Sequence, residues 1–205
     1  MAHDNSAADQ HGQISAISVA GSYLDWGPIV AGSAVALAIS VVLVQFGAAI
    51  GMSVGAPMLN ESTASWNVVI AGLWVLLVAI ISATAGGYLT GRMRVPVAGS
   101  TNDEREFRDG AHGLTVWAVS TVGATAAAAV VAALTAAGET NATTMSEIAA
   151  RFAANSATIF AFSTAAAAVI GAGAAWWAAV AGGNHRDQSL SVHEVVPAIF
   201  RRRRR

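Results

Sequence analysis

The chain has 205 residues, 55% hydrophobic and only 11% charged, where soluble domains carry about a quarter charged residues. Its formal net charge of −1 conceals a clustered arrangement, because every one of the 11 non-histidine basic residues is arginine. Cysteine is absent, which excludes disulfides, thiolate metal sites and thiol nucleophiles.

Residues 1–26 read as a polar tail without Lys or Arg, so the basic n-region of a cleavable signal peptide is not found there. At its end Tyr23 and Trp26 flank Asp25, an aromatic pair of the kind that sits at headgroup depth. No charge then appears from Ile29 to Asn60, more than the roughly 20 residues a spanning helix needs. A first helix is expected over 28–54, opening at Pro28 where a missing N–H costs little. The second span is expected over 66–91, the third over 111–137 and the fourth over 153–182. Together they form a transmembrane domain over 27–183, followed by a basic tail over 184–205. The fold class is all-α, an integral membrane four-helix bundle.

The last two spans differ from the first two. Ala126–Ala129 and Ala165–Ala168 make them weakly apolar, although neither contains a charge. Alanine favours helix but offers lipid little apolar area, so these helices are expected to stay largely buried among their neighbours.

Arginine placement sets the topology. Arg92, Arg94, Arg105 and Arg108 lie between spans two and three, and Arg186 with Arg201–Arg205 follows span four. Only Arg151 lies on the other side. The positive-inside rule then puts both termini in the cytoplasm.

Small residues recur at every fourth position. The first helix carries Gly32, Ala36, Ser40, Gly47, Gly51 and Gly55, and the second Ala79, Ala83, Gly87 and Gly91. The fourth carries Ser163, Ala167, Gly171, Ala175, Ala179 and Gly183. Lipid offers no hydrophobic drive between helices, so their association depends on close backbone approach, which such stripes permit. Packing inside one bundle outweighs a glycine-zipper seam between copies, and Gly47, Gly51, Gly55, Gly87, Gly91 and Gly171 are the packing positions expected. The halves also correspond faintly. Gly91-Arg92-Met93-Arg94 matches Gly183-Asn184-His185-Arg186, and Asp25-Trp26-Gly27 can be set against Asp109-Gly110-Ala111. These pairs allow a parallel 2+2 helix repeat.

No Asp, Glu, His or Arg lies at depth within the expected spans, which argues against a proton-coupled pump. Gln45 is the strongest polar group at depth, where an interhelical hydrogen bond contributes about 0.6–2 kcal/mol. Structural glue outweighs a permeation site there. His112, beside Asp109, Arg92 and Arg94, heads the best ionisable cluster. A solvated helix start outweighs a pH-sensing role for it. No spacing supports catalytic residues, a metal site or a cofactor. Arg201, Arg202, Arg203, Arg204 and Arg205 would meet anionic lipid headgroups at about 1 kcal/mol each. Nucleic acid is disfavoured as a partner, because aromatic interleaving is missing.

Asp25-Trp26-Gly27, Ala31-Gly32, Gly47 to Gly51, Gly86-Gly87-Tyr88 through Gly91-Arg92, and His112-Gly113 to Trp117 carry a resemblance. Over roughly residues 23–120 the chain resembles a group of bacterial four-pass inner-membrane proteins, some labelled PhnA-like. The resemblance implies an inner-membrane location and a four-helix fold, and supplies no reaction. The function expected is a non-enzymatic structural or accessory membrane protein that self-associates. The alternative is a small oligomeric permease or channel.

Overall fold

The computed structural model describes residues 23–54, 66–138 and 147–191. Four helices follow in order: α1 (Trp26–Val54), α2 (Trp66–Met93), α3 (Asn102–Gly138) and α4 (Glu147–Asp187). Each is long and apolar enough to cross a membrane. At about 1.5 Å per residue, even the 28-residue α2 exceeds the roughly 30 Å hydrocarbon thickness.

Local chemistry explains the helix limits. Ile29 N–H donates to Asp25 O at 3.4 Å, so α1 begins just ahead of Pro28. Pro96 follows the end of α2 and disfavours helix at Val95 before it. The turn beyond is closed by Ser100 N–H on Val97 O and passes through Gly99 at φ 80°, a left-handed conformation that glycine adopts without strain.

The third and fourth helices are longer than expected. α3 starts at Asn102 rather than 111, because Thr101 Oγ1 accepts the Glu104 N–H at 3.2 Å and Asp103 and Glu104 occupy the first turn. Its polar opening turns therefore continue directly into the apolar run. α4 runs on to Asp187, and its last carbonyls are closed by Leu190 N–H on His185 O and Ser189 N–H on Arg186 O. Ser189 takes the left-handed position of this Schellman motif at φ 52°.

Helices of like direction pack in register. Along α2 and α4, Gly72 meets Ser163, Ala79 meets Gly171, Gly87 lies on the Ala175 backbone and Gly91 on that of Ala179. Along α1 and α3, His112 reaches the backbone of Asp25, Gly32 meets Val116, and Gly123 meets Leu37. Among the described residues α1 and α4 do not touch, while α2 and α3 each touch all three other helices.

The stripes serve this intramolecular packing. A Cβ on Gly87 or Gly91 would overlap an α4 carbonyl, and one on Gly86 would stand 2.6 Å from Gly32 O. Gly47 seats the Trp74 ring, whose Nε1–H donates to Leu43 O at 2.9 Å. Gly171 is buried beside Trp117. Gly51 belongs to α1, but its surroundings and Gly55 lie outside the described residues.

The alanine-rich helices overturn one expectation. Only 6% of the apolar window of α3 and 11% of that of α4 is buried, against 22% and 28% for α1 and α2. From Ala124 to Leu134 every position of α3 is exposed. Methyl side chains reach too little of a neighbour to be covered by a single chain's bundle.

Candidate functional site

The charged side chains of the described residues gather where α2 ends and α3 begins, at what is called the arginine end. Thr90, on the last turns of α2, places its hydroxyl 2.9 Å from Gly86 O and 3.0 Å from Pro28 O, joining α2 to the start of α1. Just past α2, Arg94 is 3% exposed and its Nε donates to Asp109 Oδ1 at 2.5 Å.

Asp109, itself 2% exposed, receives a second arginine from α4. Arg186 Nη2 donates to its Oδ2 at 3.2 Å. The same guanidinium donates through Nη1 to Gly91 O at 2.7 Å and Arg94 O at 2.9 Å, capping the C-terminus of α2. Arg186 Nε pairs with Asp187 at 2.8 Å, and Arg105 stands 3.9 Å from that carboxylate. One carboxylate thus ties three helices. A Cβ on Gly183 would collide with Asp109, so glycine there lets the carboxylate lie against the α4 backbone.

His112 makes a second tie. The backbone N–H of Asp25 can only donate, so His112 Nε2, 2.8 Å away, is the acceptor. The proton then resides on Nδ1, which donates to Arg108 O at 2.6 Å. The ring is 1% exposed and the helix start is not solvated there, contrary to expectation. Because α3 begins at Asn102, His112 lies well inside the helix, held between the Arg108 carbonyl and the Asp25 backbone.

Arg108 is packed beside this tie. Its guanidinium lies 4.3 Å from the Tyr23 ring centroid, Glu104 is 3.7 Å away, and its Nε has no partner among the described residues. On the α4 side the Tyr88 hydroxyl is 3.2 Å from His185 Nδ1, and Arg92 Nη2 donates to Leu190 O.

The other expected positions lie elsewhere. Gln45 is exposed, far along α1 from the arginine end. Arg201–Arg205 lie outside the described residues, as does the side chain of Arg151. Among the described residues no group of three or more His, Asp or Glu side chains stands close enough to hold a metal ion. The convergence of Arg94 and Arg186 on Asp109 was not expected. The matching of Gly91 to Arg94 with Gly183 to Arg186 was its visible trace, since each arginine stands three residues beyond a stripe-ending glycine.

This geometry defines the class: an all-α four-helix bundle, with helices long and apolar enough to cross a membrane, knotted at one end on a buried aspartate. No protein-family model, curated protein or solved structure matches the chain.

Proposed function

We propose that the chain is a non-enzymatic, multi-pass protein of the bacterial cytoplasmic membrane, structural or accessory in role, with both termini in the cytoplasm. The observation that carries this reading is the arrangement of the five described arginines other than Arg151. Arg92, Arg94, Arg105, Arg108 and Arg186 collect at one end of four apolar helices, as cytoplasmic loops do under the positive-inside rule. The resemblance to the PhnA-like group of inner-membrane proteins is in keeping with it.

Self-association belongs to the same proposal. The stripes on α2 and α4 are occupied by each other, so copies would meet on what remains exposed. Val130, Val131 and Leu134 of α3 and Phe162 and Val169 of α4 offer such surfaces. Beyond the described residues, Arg201–Arg205 would lie against anionic headgroups.

The alternative, a small oligomeric permease, draws on Gln45. Its outward position means that a polar path through it would form only between copies. Crosslinking in native membranes, read beside solute flux in liposomes, separates the two. Oligomers without flux support the structural role, and flux abolished by Gln45→Leu supports the permease. A reporter fused after Arg205 that is active only outside the cytoplasm would overturn the topology.

A further inference from the structure

At the arginine end, a cleft of about 470 Å³ opens between the start of α1, the α2–α3 loop and α3. Tyr23, Asp25 and Trp26 line it from one side, Val95 and Val97 from the loop, and Arg108 from α3. We propose that this cleft holds the headgroup of a zwitterionic phospholipid of the phosphoethanolamine type, its phosphate on Arg108 and its ammonium at Asp25. The inference rests on the membrane reading above and concerns residues apart from the C-terminal arginines.

Arg108 lines the α3 side of the cleft. It is nine-tenths buried, yet its Nε has no hydrogen-bond partner among the described residues. Its one carboxylate neighbour, Glu104, stands at 3.7 Å, beyond hydrogen-bonding distance. A buried guanidinium nitrogen left without an acceptor is costly, and a phosphate oxygen in the cleft that Arg108 lines is an acceptor suited to a guanidinium. Arg94 lines the same cleft but is already committed to Asp109, so Arg108 is the cation available.

Asp25 selects the other half of the headgroup. Its backbone N–H is used by His112, while its carboxylate has no hydrogen bond or ion pair among the described residues. Among the described residues the cleft thus has Arg108 as its available cation and Asp25 as its available anion, which matches a zwitterion better than a purely anionic group. The rim matches the depth of a headgroup. Tyr23 is 64% exposed, Trp26 55% and Val95 71%, aromatic and apolar groups of the kind that sit where acyl chains meet headgroups.

The test uses the full chain, delipidated in detergent micelles and titrated with dioleoyl phosphatidylethanolamine, phosphatidylglycerol and phosphatidylcholine. Native mass spectrometry reads occupancy. The phosphatidylethanolamine adduct should form at about tenfold lower lipid concentration than the other two, the scale of one charge-assisted hydrogen bond. Arg108→Gln should abolish that adduct. Asp25→Asn should leave phosphatidylglycerol binding intact and remove the preference for phosphatidylethanolamine. Equal occupancy by all three lipids on the unaltered chain would overturn the proposal, whether or not the variants fold. Displacement by inorganic phosphate at the lipid's own concentration would reduce the site to a free-anion site and overturn the lipid assignment. A chain that stays soluble and monomeric once detergent is removed would instead sink the membrane reading, a separate outcome of the same preparation.

Discussion

At the arginine end α2, α3 and α4 share the Asp109 carboxylate, and His112 fastens α3 to the first turn of α1. Past Gly123, by contrast, α3 presents exposed side chains through Leu134, and α4 turns Phe162 and Val169 outward. Near the arginines, glycine brings backbones together and buried charge fixes which helix stands where. In the far half the Trp74 N–H on Leu43 O links α1 to α2, while α3 is exposed at every position from Ala124 to Leu134. One end therefore specifies the arrangement of helices. The other leaves surface that a single chain does not cover.

Breaking the tied end should have the largest effect. Asp109→Leu leaves Arg94 and Arg186 buried without their shared carboxylate, and about 3–5 kcal/mol of stability should be lost. Thermal unfolding in detergent micelles measures it. A variant that melts with the parent would show that these arginines reach water once released.

Next come the glycines. Gly91→Leu places a side chain into the Ala179 backbone and should cost about 3 kcal/mol or separate α2 from α4. Gly173→Leu is the matched control, because a Cβ there meets nothing within 4 Å. Distances between spin labels on α2 and α4 should lengthen in the first variant alone.

The histidine tie should contribute less. His112→Leu leaves the Asp25 N–H without an acceptor and should cost about 1–2 kcal/mol, with hydrogen exchange accelerated in the first turn of α1. Exchange in α4 should be unaltered, since α1 and α4 do not touch among the described residues.

The smallest effect belongs to the far half. Val130→Ala with Leu134→Ala should alter unfolding of the single chain by roughly 0.5 kcal/mol or less. The same pair should reduce crosslinking between copies if that face is where they meet. Unchanged crosslinking would move the contact to another surface.

Much of the helix layout was legible in the apolar runs. The uncharged stretch after Asp25 marks α1, the run ending at Gly91 marks the close of α2 to within a turn, and the run ending at Gly182 stops short of the end of α4 at Asp187. The early start of α3 was missed because hydropathy weighs Asp103, Glu104 and Arg105 as loop. In the folded chain Thr101 caps them into helix. The site was legible only in part. His112 and Asp109 stood out as ionisable neighbours, but their burial depends on helices distant in sequence.

Sequence alone determined that four segments can form apolar helices, because charge is absent over each long run and every backbone hydrogen bond is then made within its own segment. It also determined which residues are small enough for backbones to meet. Only the tertiary structure decided that both arginines converge on Asp109: α4 lies against α2 and α3, which brings Arg186 to the carboxylate that Arg94 already holds. The same arrangement buried Arg108, Asp109 and His112 and exposed the alanine-rich half of α3. Burial is a property of neighbours in space, and the spacing of residues along one helix names a face without naming what will cover it.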